Sequence, residues 1–425
     1  MARKMKDSGI EWIGEIPEGW ETCLYKYCCS VQPGYPFDSA KFSNSSTDGF
    51  PLIRIRDITS GEIQTYYTDS YDSSYIITAG DLLVGMDGDF NVRWWNNSDA
   101  LLNQRCCRII EKGRFSRRFL YYVLPFTLQY INTLTYATTV KHLANGDILN
   151  SFIAFPPLSV QKNITCYLDK NCSNIDSILS KTRSSIEEYK KLKQAVITQA
   201  VTKGVRGERE MKDSGVEWAG LVPLHWGVAK IGSIGQTSSG ATPLRSKESS
   251  FFDDATIRWV RTLDLNDGLV YDSSEKITEL ALASSACSIM PKGTVCVAMY
   301  GGAGTIGKCG LLMSDCATNQ AVCSIVCNRK IVSPIFLLMQ LLALKPYWMK
   351  YAVGTRKDPN ISQDVVARMK ILIPPLDEQK EITDYLDAKC AEIDGLIAKK
   401  EQLVKELESY KKSLIYEVVT GKREV

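Results

Sequence analysis

Pro156-Pro157-Leu158-Ser159-Val160-Gln161-Lys162 opens a stretch that the chain writes twice. It continues through Tyr167-Leu168-Asp169 and Ile175-Asp176 to Val201-Thr202, and the frame returns as Pro374-Pro375-Leu376-Asp377-Glu378-Gln379-Lys380, Tyr385-Leu386-Asp387, Ile393-Asp394 and Val419-Thr420. Pro374 lies 218 residues after Pro156, and Val419 lies 218 after Val201. A gap-free match of this length is beyond chance. Two copies are too few for a solenoid, so the chain is a duplicated half.

Each copy reads as one long helix. Apolar residues recur at steps of three and four: Ile164, Leu168, Cys172, Ile175, Leu179, Ile186, Tyr189, Leu192 and Val196 in the first copy, and Ile382, Leu386, Cys390, Ile393, Leu396, Leu403, Leu407, Tyr410, Leu414 and Val418 in the second. That spacing is the seam of a helix packed on another helix. The Pro-Pro pairs hold the preceding residues extended and mark the start. Gly204 and Gly421 mark the stop. About 42 helical residues at 1.5 Å rise give a rod of roughly 60 Å. A single apolar stripe needs a partner. The repeat favours an antiparallel intramolecular coiled coil of the two copies, seamed by Leu168, Ile175, Tyr189 and Leu192 against Leu386, Ile393, Leu407 and Leu414; the alternative is that each helix packs on its own globular part. The first copy (156–207) carries a net charge of +5 and the second (374–425) −3, so the two attract within one chain.

The duplication extends upstream. Met5-Lys6-Asp7-Ser8-Gly9-Ile10-Glu11-Trp12-Ile13-Gly14 recurs as Met211-Lys212-Asp213-Ser214-Gly215-Val216-Glu217-Trp218-Ala219-Gly220, with Pro17 and Trp20 answered by Pro223 and Trp226. The chain is thus a pseudo-two-fold tandem repeat in four parts: a globular domain (1–155), a helical spacer (156–207), a second globular domain (208–373) and a second spacer (374–425). Fainter landmarks relate the globular parts: Gly34 to Gly240, Ile55-Arg56 to Val260-Arg261, Asn103-Gln104 to Asn319-Gln320, and Phe119-Leu120 to Phe336-Leu337. Within them Pro51 to Ile58, Leu82-Leu83-Val84, Arg108-Ile109-Ile110 and Val295-Cys296-Val297 read as short strands. One apolar helix follows in each part, Phe119 to Tyr130 and Phe336 to Leu344. The fold class is α+β, with strand-rich heads on helical spacers.

Composition sets limits on function. No run of about 18 apolar residues exists and the first residues are polar, so neither a membrane span nor a signal peptide is expected and the protein reads as cytoplasmic. The 14 Cys lie in apolar or helical patterns, as Cys172, Cys296 and Cys323 do, and read as reduced and buried. Cys316, Cys323 and Cys327 lack paired metal-site spacing, and only His142 and His225 could assist, so no metal is expected. A net charge of +3 on 425 residues is no polycation; a nucleic-acid ligand would need local patches or partner subunits.

The arrangement resembles the specificity subunit of type I restriction–modification systems, over essentially the whole chain. The helices opening Pro-Pro-Leu and then Gln161-Lys162 or Gln379-Lys380 carry the resemblance. So do the repeated Ser-Gly-Ile/Val-Glu-Trp openings, and Gly85-Met86-Asp87-Gly88-Asp89-Phe90-Asn91 with Leu102-Asn103-Gln104-Arg105. The resemblance implies target-recognition domains that each read one half of a split DNA sequence, with helices that fix the spacing and dock methyltransferase subunits. It also implies one copy per complex, in company with two modification subunits and with restriction subunits that translocate DNA and cut it. S-adenosylmethionine, ATP and Mg would belong to those partners, with no cofactor bound by this chain. Double-stranded DNA is the implied ligand, and no membrane is involved.

Residues that differ between the heads are the better candidates for DNA contact, Arg54, Arg93 and Lys141 in the first and Arg245, Arg258, Arg356 and Lys357 in the second; Arg56 and Arg261 at the shared landmark, and Lys308, complete the candidate set. Taken singly, each is also an ordinary solvated charge. Asn103-Gln104 and Asn319-Gln320 could pair with adenine, but their recurrence in heads that read different sequences favours a scaffold role. Gly302-Ala303-Gly304-Thr305-Ile306-Gly307-Lys308 approaches a P-loop, yet Cys309 stands where a Mg²⁺-binding hydroxyl is needed; a turn carrying Lys308 toward DNA, or a structural hairpin, fits better. No methyltransferase or nuclease motif and no Ser/His/Asp set stands out, so no catalytic residue is assigned. The competing functions are a non-DNA coiled-coil assembly scaffold and a P-loop enzyme.

Overall fold

The computed structural model describes residues 3–134, 141–301, 304–354 and 359–425. It divides into two compact units, Met1–Thr182 with Gln402–Val425, and Arg183–Glu401. The division falls inside both long helices, so each unit holds one head, the beginning of one helix and the end of the other.

In the first unit a four-stranded antiparallel sheet runs in the order Val92–Trp94, Leu82–Gly85, Cys106–Glu111, Cys29–Pro33. A five-stranded sheet runs Phe42–Ser43, Tyr66–Tyr67, Phe50–Ile53, Ala100–Leu102, Ile76–Ile77, with one parallel pair at its centre. The strand Glu21–Leu24 pairs with Phe152–Phe155, so the head closes on itself immediately before Pro156. The helix Arg117–Leu134 buries Phe119, Leu120, Val123 and Leu124 in the main core.

The second unit repeats this plan. Its main sheet runs Gly235–Ser239, Val322–Cys327, Val295–Ala298, Cys309–Leu312, Gly268–Val270. Its smaller sheet runs Glu275–Ile277, Ile257–Val260, Cys316–Thr318, Ile289–Met290. Gly227–Lys230 pairs with Lys370–Ile373 to close the head before Pro374, and Pro334–Leu344 is the buried helix. The α+β class and the two tandem halves stand.

One strand is shorter than the alternation predicts. Phe50–Ile53 is a strand, but Ile55–Ser60 is a short helix. Arg54 is extended and its N–H donates to Asp57 Oδ2 at 2.8 Å, while Gly61 at φ 79° ends the turn. The Asp at the third helical position and the Gly beyond Ser60 outvote the period-two pattern.

The long helices span Leu158–Lys203 and Leu376–Val419, starting directly after Pro-Pro and stopping before Gly204 and Gly421, both left-handed at φ 74° and 72°. Within the second unit they run antiparallel: Lys193 meets Asp394, and Arg206, just past the first helix, meets Glu381. Both packing alternatives are realised at once. In the first unit Leu168, Cys172, Ile175 and Leu179 share one core with Leu414 and Val418 of the other helix and with Phe119 and Leu120 of the head. In the second, Ile197, Ala200 and Val201 share one with Leu386, Phe336 and Leu337.

The seam itself needs one correction. Leu168, Ile175, Leu386, Ile393 and Leu414 are buried, and Tyr189 and Leu407 are half-buried, but Leu192 is 47 % exposed. The inward line follows heptad steps through Ile175, Leu179, Thr182, Ile186, Tyr189, Lys193, Val196 and Ala200, so Leu192 sits one position off it. In the second helix the inward line takes Ile397 and Val404 in place of Leu396 and Leu403, which are exposed, as is Tyr410. Leu396 and Leu403 are each followed by an apolar residue, Ile397 and Val404, so either line was compatible with the sequence there, whereas Leu192 is followed by Lys193.

Candidate nucleic-acid interface

Each head is fastened to its helix by a glutamine. Gln161 is fully buried; its Oε1 accepts the Ser116 N–H at 2.9 Å, and its Nε2 donates to the carbonyls of Pro156 at 2.9 Å and Arg114 at 3.2 Å. Gln379 does the same with Ser333 N–H at 2.8 Å and the carbonyls of Pro374 and Ile331, both at 2.9 Å. Ser116 and Ser333 immediately precede the head helices, so the amide saturates a helix terminus that would otherwise be buried unpaired. The far ends meet the other repeated motif: Gly421 packs on Pro17 and Trp20, and Gly204 on Trp226.

The heads share a scaffold at the strand ends that carry the arginines. The carbonyls of Ile53 and Val260 accept the N–H of Asn103 and Asn319 at 3.1 and 3.0 Å. The next residues, Arg54 and Arg261, each donate a backbone N–H to an Asp three positions on, Asp57 and Asp264, at 2.8 Å. Arg54 is therefore the counterpart of Arg261. The sequence pairing of Ile55-Arg56 with Val260-Arg261 is out by two residues, because Ile-Arg occurs twice in succession at 53–56. Asp57 is wholly buried, and that burial pushes its carboxyl above the ordinary range despite the Arg54 N–H and Arg56. Asn103 and Asn319 turn the chain, their carbonyls accepting the N–H of Cys106 and Val322 at 2.9 and 3.1 Å. Both are part of the shared framework. Gly34 and Gly240 pass so close that a Cβ would lie 2.1 Å from Asn103 O or 1.9 Å from Thr318 O.

On this scaffold the candidates divide. Arg54 is exposed, its guanidinium 5.7 Å from the Phe42 ring centre. Arg56 donates to Thr65 Oγ1 at 2.9 Å and flanks Asp57. Arg93 turns inward, donating at 3.3 Å to the carbonyls of Ile58 and Thr59, so it caps the short helix. Lys141 Nζ is held by the Asn132 carbonyl at 2.7 Å. In the second head Arg245 and Arg261 both bind Glu275, at 2.6 and 2.5 Å, with Trp259 under them, and Arg258 pairs with Asp272 at 3.1 Å. Arg245 and Arg261 thus come together on Glu275, while Arg258, next to Trp259 on the strand, points to the other face of the sheet and pairs with Asp272; Arg54 and Arg56 form the matching corner of the first head. Arg356 and Lys357 lie outside the described residues. Sequence reasoning passed over Glu275, whose only signal was its place on a strand that could pair with Trp259.

The glycine-rich loop joins the strands Val295–Ala298 and Cys309–Leu312. A P-loop must lead into a helix whose N-terminus takes the phosphates; this one leads into a strand. Lys308 is half-buried at its end, its carbonyl bonded to Ala298 N–H at 2.8 Å. Gly302 and Ala303 lie outside the described residues. The same hairpin in the first head is shorter: Gly85 N–H bonds to Asn91 O at 2.8 Å, and Phe90, at φ 52°, holds the place of Gly307, at φ 75°. The loop is a hairpin between two strands, and the P-loop reading falls.

The Cys residues of the described chain are free thiols, with Cys166 the exposed one, and burial pushes Cys29, Cys106, Cys296 and Cys323 up to about 12. Among the described residues, no three His, Cys, Asp or Glu side chains are grouped to hold a metal ion, and no helix is long and apolar enough to cross a membrane.

A family model for the type I restriction modification DNA specificity domain matches twice, at residues 17–188 and 223–406, once for each half. The chain belongs to this family. It is 29% identical over 408 residues to the specificity subunit of the type I restriction enzyme EcoBI of Escherichia coli, covering 93% of this chain and 84% of that protein. It is 23% identical over 420 residues to the MjaVIII specificity subunit of Methanocaldococcus jannaschii, covering 96% and 93%. A solved chain from a study of complex assembly and conformational transition in a type I R-M system superposes with a TM-score of 0.72 at 16% identity, covering 96% of this chain and 99% of that one. That likeness establishes the shared fold.

Proposed function

We infer that this chain is the DNA specificity subunit of a type I restriction–modification complex, and that each head reads one half of a two-part target. The observation that carries this is the double match: one specificity domain per half, on a scaffold kept the same while the surface residues of the heads differ. A fixed framework with variable faces is what two unlike half-sites require.

On this reading residues 1–155 and 208–373 are the recognition domains. The helices at 156–207 and 374–425 set the gap and offer docking surfaces to two methyltransferase subunits, with one copy of this chain per complex. Restriction subunits join to translocate and cut. The chain itself is not a catalyst: S-adenosylmethionine, ATP and Mg²⁺ we assign to the partners, and the complex works in the cytoplasm beside the DNA it marks. The exposed Arg54, the Arg245–Arg261 pair and, separately, Arg258 are the contacts we favour. Arg93 and Lys141, turned to their own backbone, are the least suited.

The test is to express the chain with its partners and map the modified bases. Replacing 208–373 by another head should change one half of the mapped sequence and leave the other intact. A change in both halves overturns independent reading. Failure of the assembled complex to select any sequence in a gel shift would favour the non-DNA scaffold instead.

A further inference from the structure

Heads that read different half-sites need different base contacts, but the phosphate backbone is the same on every sequence. A side chain placed identically in both heads therefore suits phosphate and not base reading. Arg54 and Arg261 are such a pair. Each follows a strand whose last carbonyl binds the Asn of the shared turn, and each is tied by its N–H to an Asp at 2.8 Å. Each guanidinium also rides on an aromatic ring, Phe42 at 5.7 Å or Trp259 at 6.0 Å, which orients the planar fork.

What faces the arginine differs. Trp259 stands opposite Glu275 on the neighbouring strand. The counterpart of Trp259 is Leu52, whose N–H bonds to Thr65 O at 2.9 Å, and the register Phe50 with Tyr67, Pro51 with Tyr66 brings Leu52 opposite Thr65. Glu275 and Thr65 thus hold one position. Glu275 divides its oxygens between two guanidinium groups, Oε1 to Arg261 Nη1 at 2.5 Å and Oε2 to Arg245 Nη2 at 2.6 Å. Two guanidinium groups closing on one anion, each through one N–H, is an arrangement that also suits a phosphate; here the anion belongs to the chain. Thr65 is uncharged, so it presents no such anion to Arg54.

We propose that Arg54 and Arg261 are matched, sequence-independent phosphate anchors, and that Glu275 stands in for the DNA phosphate in the second head until the duplex displaces it. This rests on the DNA-reading function above. The first head's anchor is ready to bind; the second must first give up two charge-assisted hydrogen bonds.

The test uses the complex with its methyltransferase partners, a duplex carrying the mapped target and a scrambled duplex of equal length, titrated across NaCl concentrations. Arg54→Gln should reduce the slope of log K against log salt by about 1 on both duplexes while leaving their ratio unchanged, and Arg54→Lys should restore the slope. Glu275→Gln should tighten binding to both by about twofold to fivefold. A changed base preference at one position with the slope intact would make Arg54 a base reader and overturn the anchor. Binding that is weaker or unaltered in Glu275→Gln would overturn the stand-in. If the unmodified complex fails to distinguish the two duplexes, the DNA-reading function itself falls and takes this proposal with it.

Discussion

Lys193 Nζ lies 2.6 Å from Asp394 Oδ2 in the second unit, and Lys411 Nζ lies 2.6 Å from Asp176 Oδ1 in the first. These are one ion pair written twice, since Lys411 and Asp394 each follow their counterparts, Lys193 and Asp176, by 218 residues. Each Lys occupies a heptad step on the inward line where an apolar residue would otherwise pack, so its stem is partly covered while its charge finds the Asp of the other helix. The Asp side chains are 54 and 55 % exposed, so each pair contributes well under about 1 kcal/mol. Its larger effect is on which pairings are disfavoured. Asp394→Lys should lower stability by about 0.5–1 kcal/mol through like-charge contact, and Lys193→Asp added to it should recover most of that loss. Thermal melts at low and high salt check this: the loss should shrink as salt rises.

The two glutamines give a stronger expectation. Gln161→Leu or Gln379→Leu leaves a buried backbone N–H and at least one buried carbonyl unpaired, at a cost of about 2–4 kcal/mol to its own unit. The local readout is amide exchange at Ser116 or Ser333, whose N–H groups the glutamines hold at 2.9 and 2.8 Å. Exchange there should quicken in the matching variant only. Unchanged protection in both would mean that the joint is held by packing alone.

The repeat made the architecture legible. Pro-Pro starts, Gly stops and a 218-residue period are local signals, and the helices begin and end where those signals stand. The inward line was less legible where Leu396 and Leu403 lie next to it, because a helix turned by one residue fits the same letters there. The strand at Pro51 was overread because alternation extends into Arg54-Ile55-Arg56, while the deciding Asp57 acts through a three-residue hydrogen bond. The arginine clusters were invisible as clusters. Glu275 and Arg261 are 14 residues apart, and only the strand pairing places them together. Burial and register, not composition, separate Arg93 from Arg54.

Glu378 gives the second unit a pH effect that the first lacks at the matching position. Glu378 is nearly fully buried, and burial pushes its carboxyl up; hydrogen bonds from His225 at 2.6 Å, Arg209 at 2.9 Å and Trp226 at 3.2 Å outweigh that and hold it below its ordinary value of 4.5. A carboxyl lowered on folding stabilises above the unfolded value, and that contribution disappears as pH falls through the lower folded value. The second unit should therefore weaken as pH drops below about 4.5, and Glu378→Gln should flatten that dependence while costing about 2–3 kcal/mol at neutral pH. The first unit has Val160 at this position, and the buried Trp20 Nε1 meets no acceptor among the described residues. Trp20→Phe should accordingly cost less than Trp226→Phe, as tryptophan fluorescence during denaturant unfolding of each variant would show.

The helix stops differ in how tightly they are packed, and this separates two substitutions that the sequence would treat alike. Gly204 and Gly421 are both left-handed, so alanine at either costs about 1 kcal/mol in backbone strain. At Gly204 the nearest atom to an added Cβ is Trp226 at 3.4 Å, an ordinary contact. At Gly421 it would lie 2.5 Å from Pro17 Cδ, 2.6 Å from Pro17 Cγ and 3.1 Å from Trp20, none of which belongs to a flexible chain end. Gly421→Ala must therefore displace the Pro17 ring or the end of the helix, adding about 1–3 kcal/mol of overpacking. Urea unfolding should rank Gly421→Ala clearly below Gly204→Ala. Equal losses would mean that the C-terminal turn moves freely, and that Trp20 does not fix the end of the helix as the packing requires.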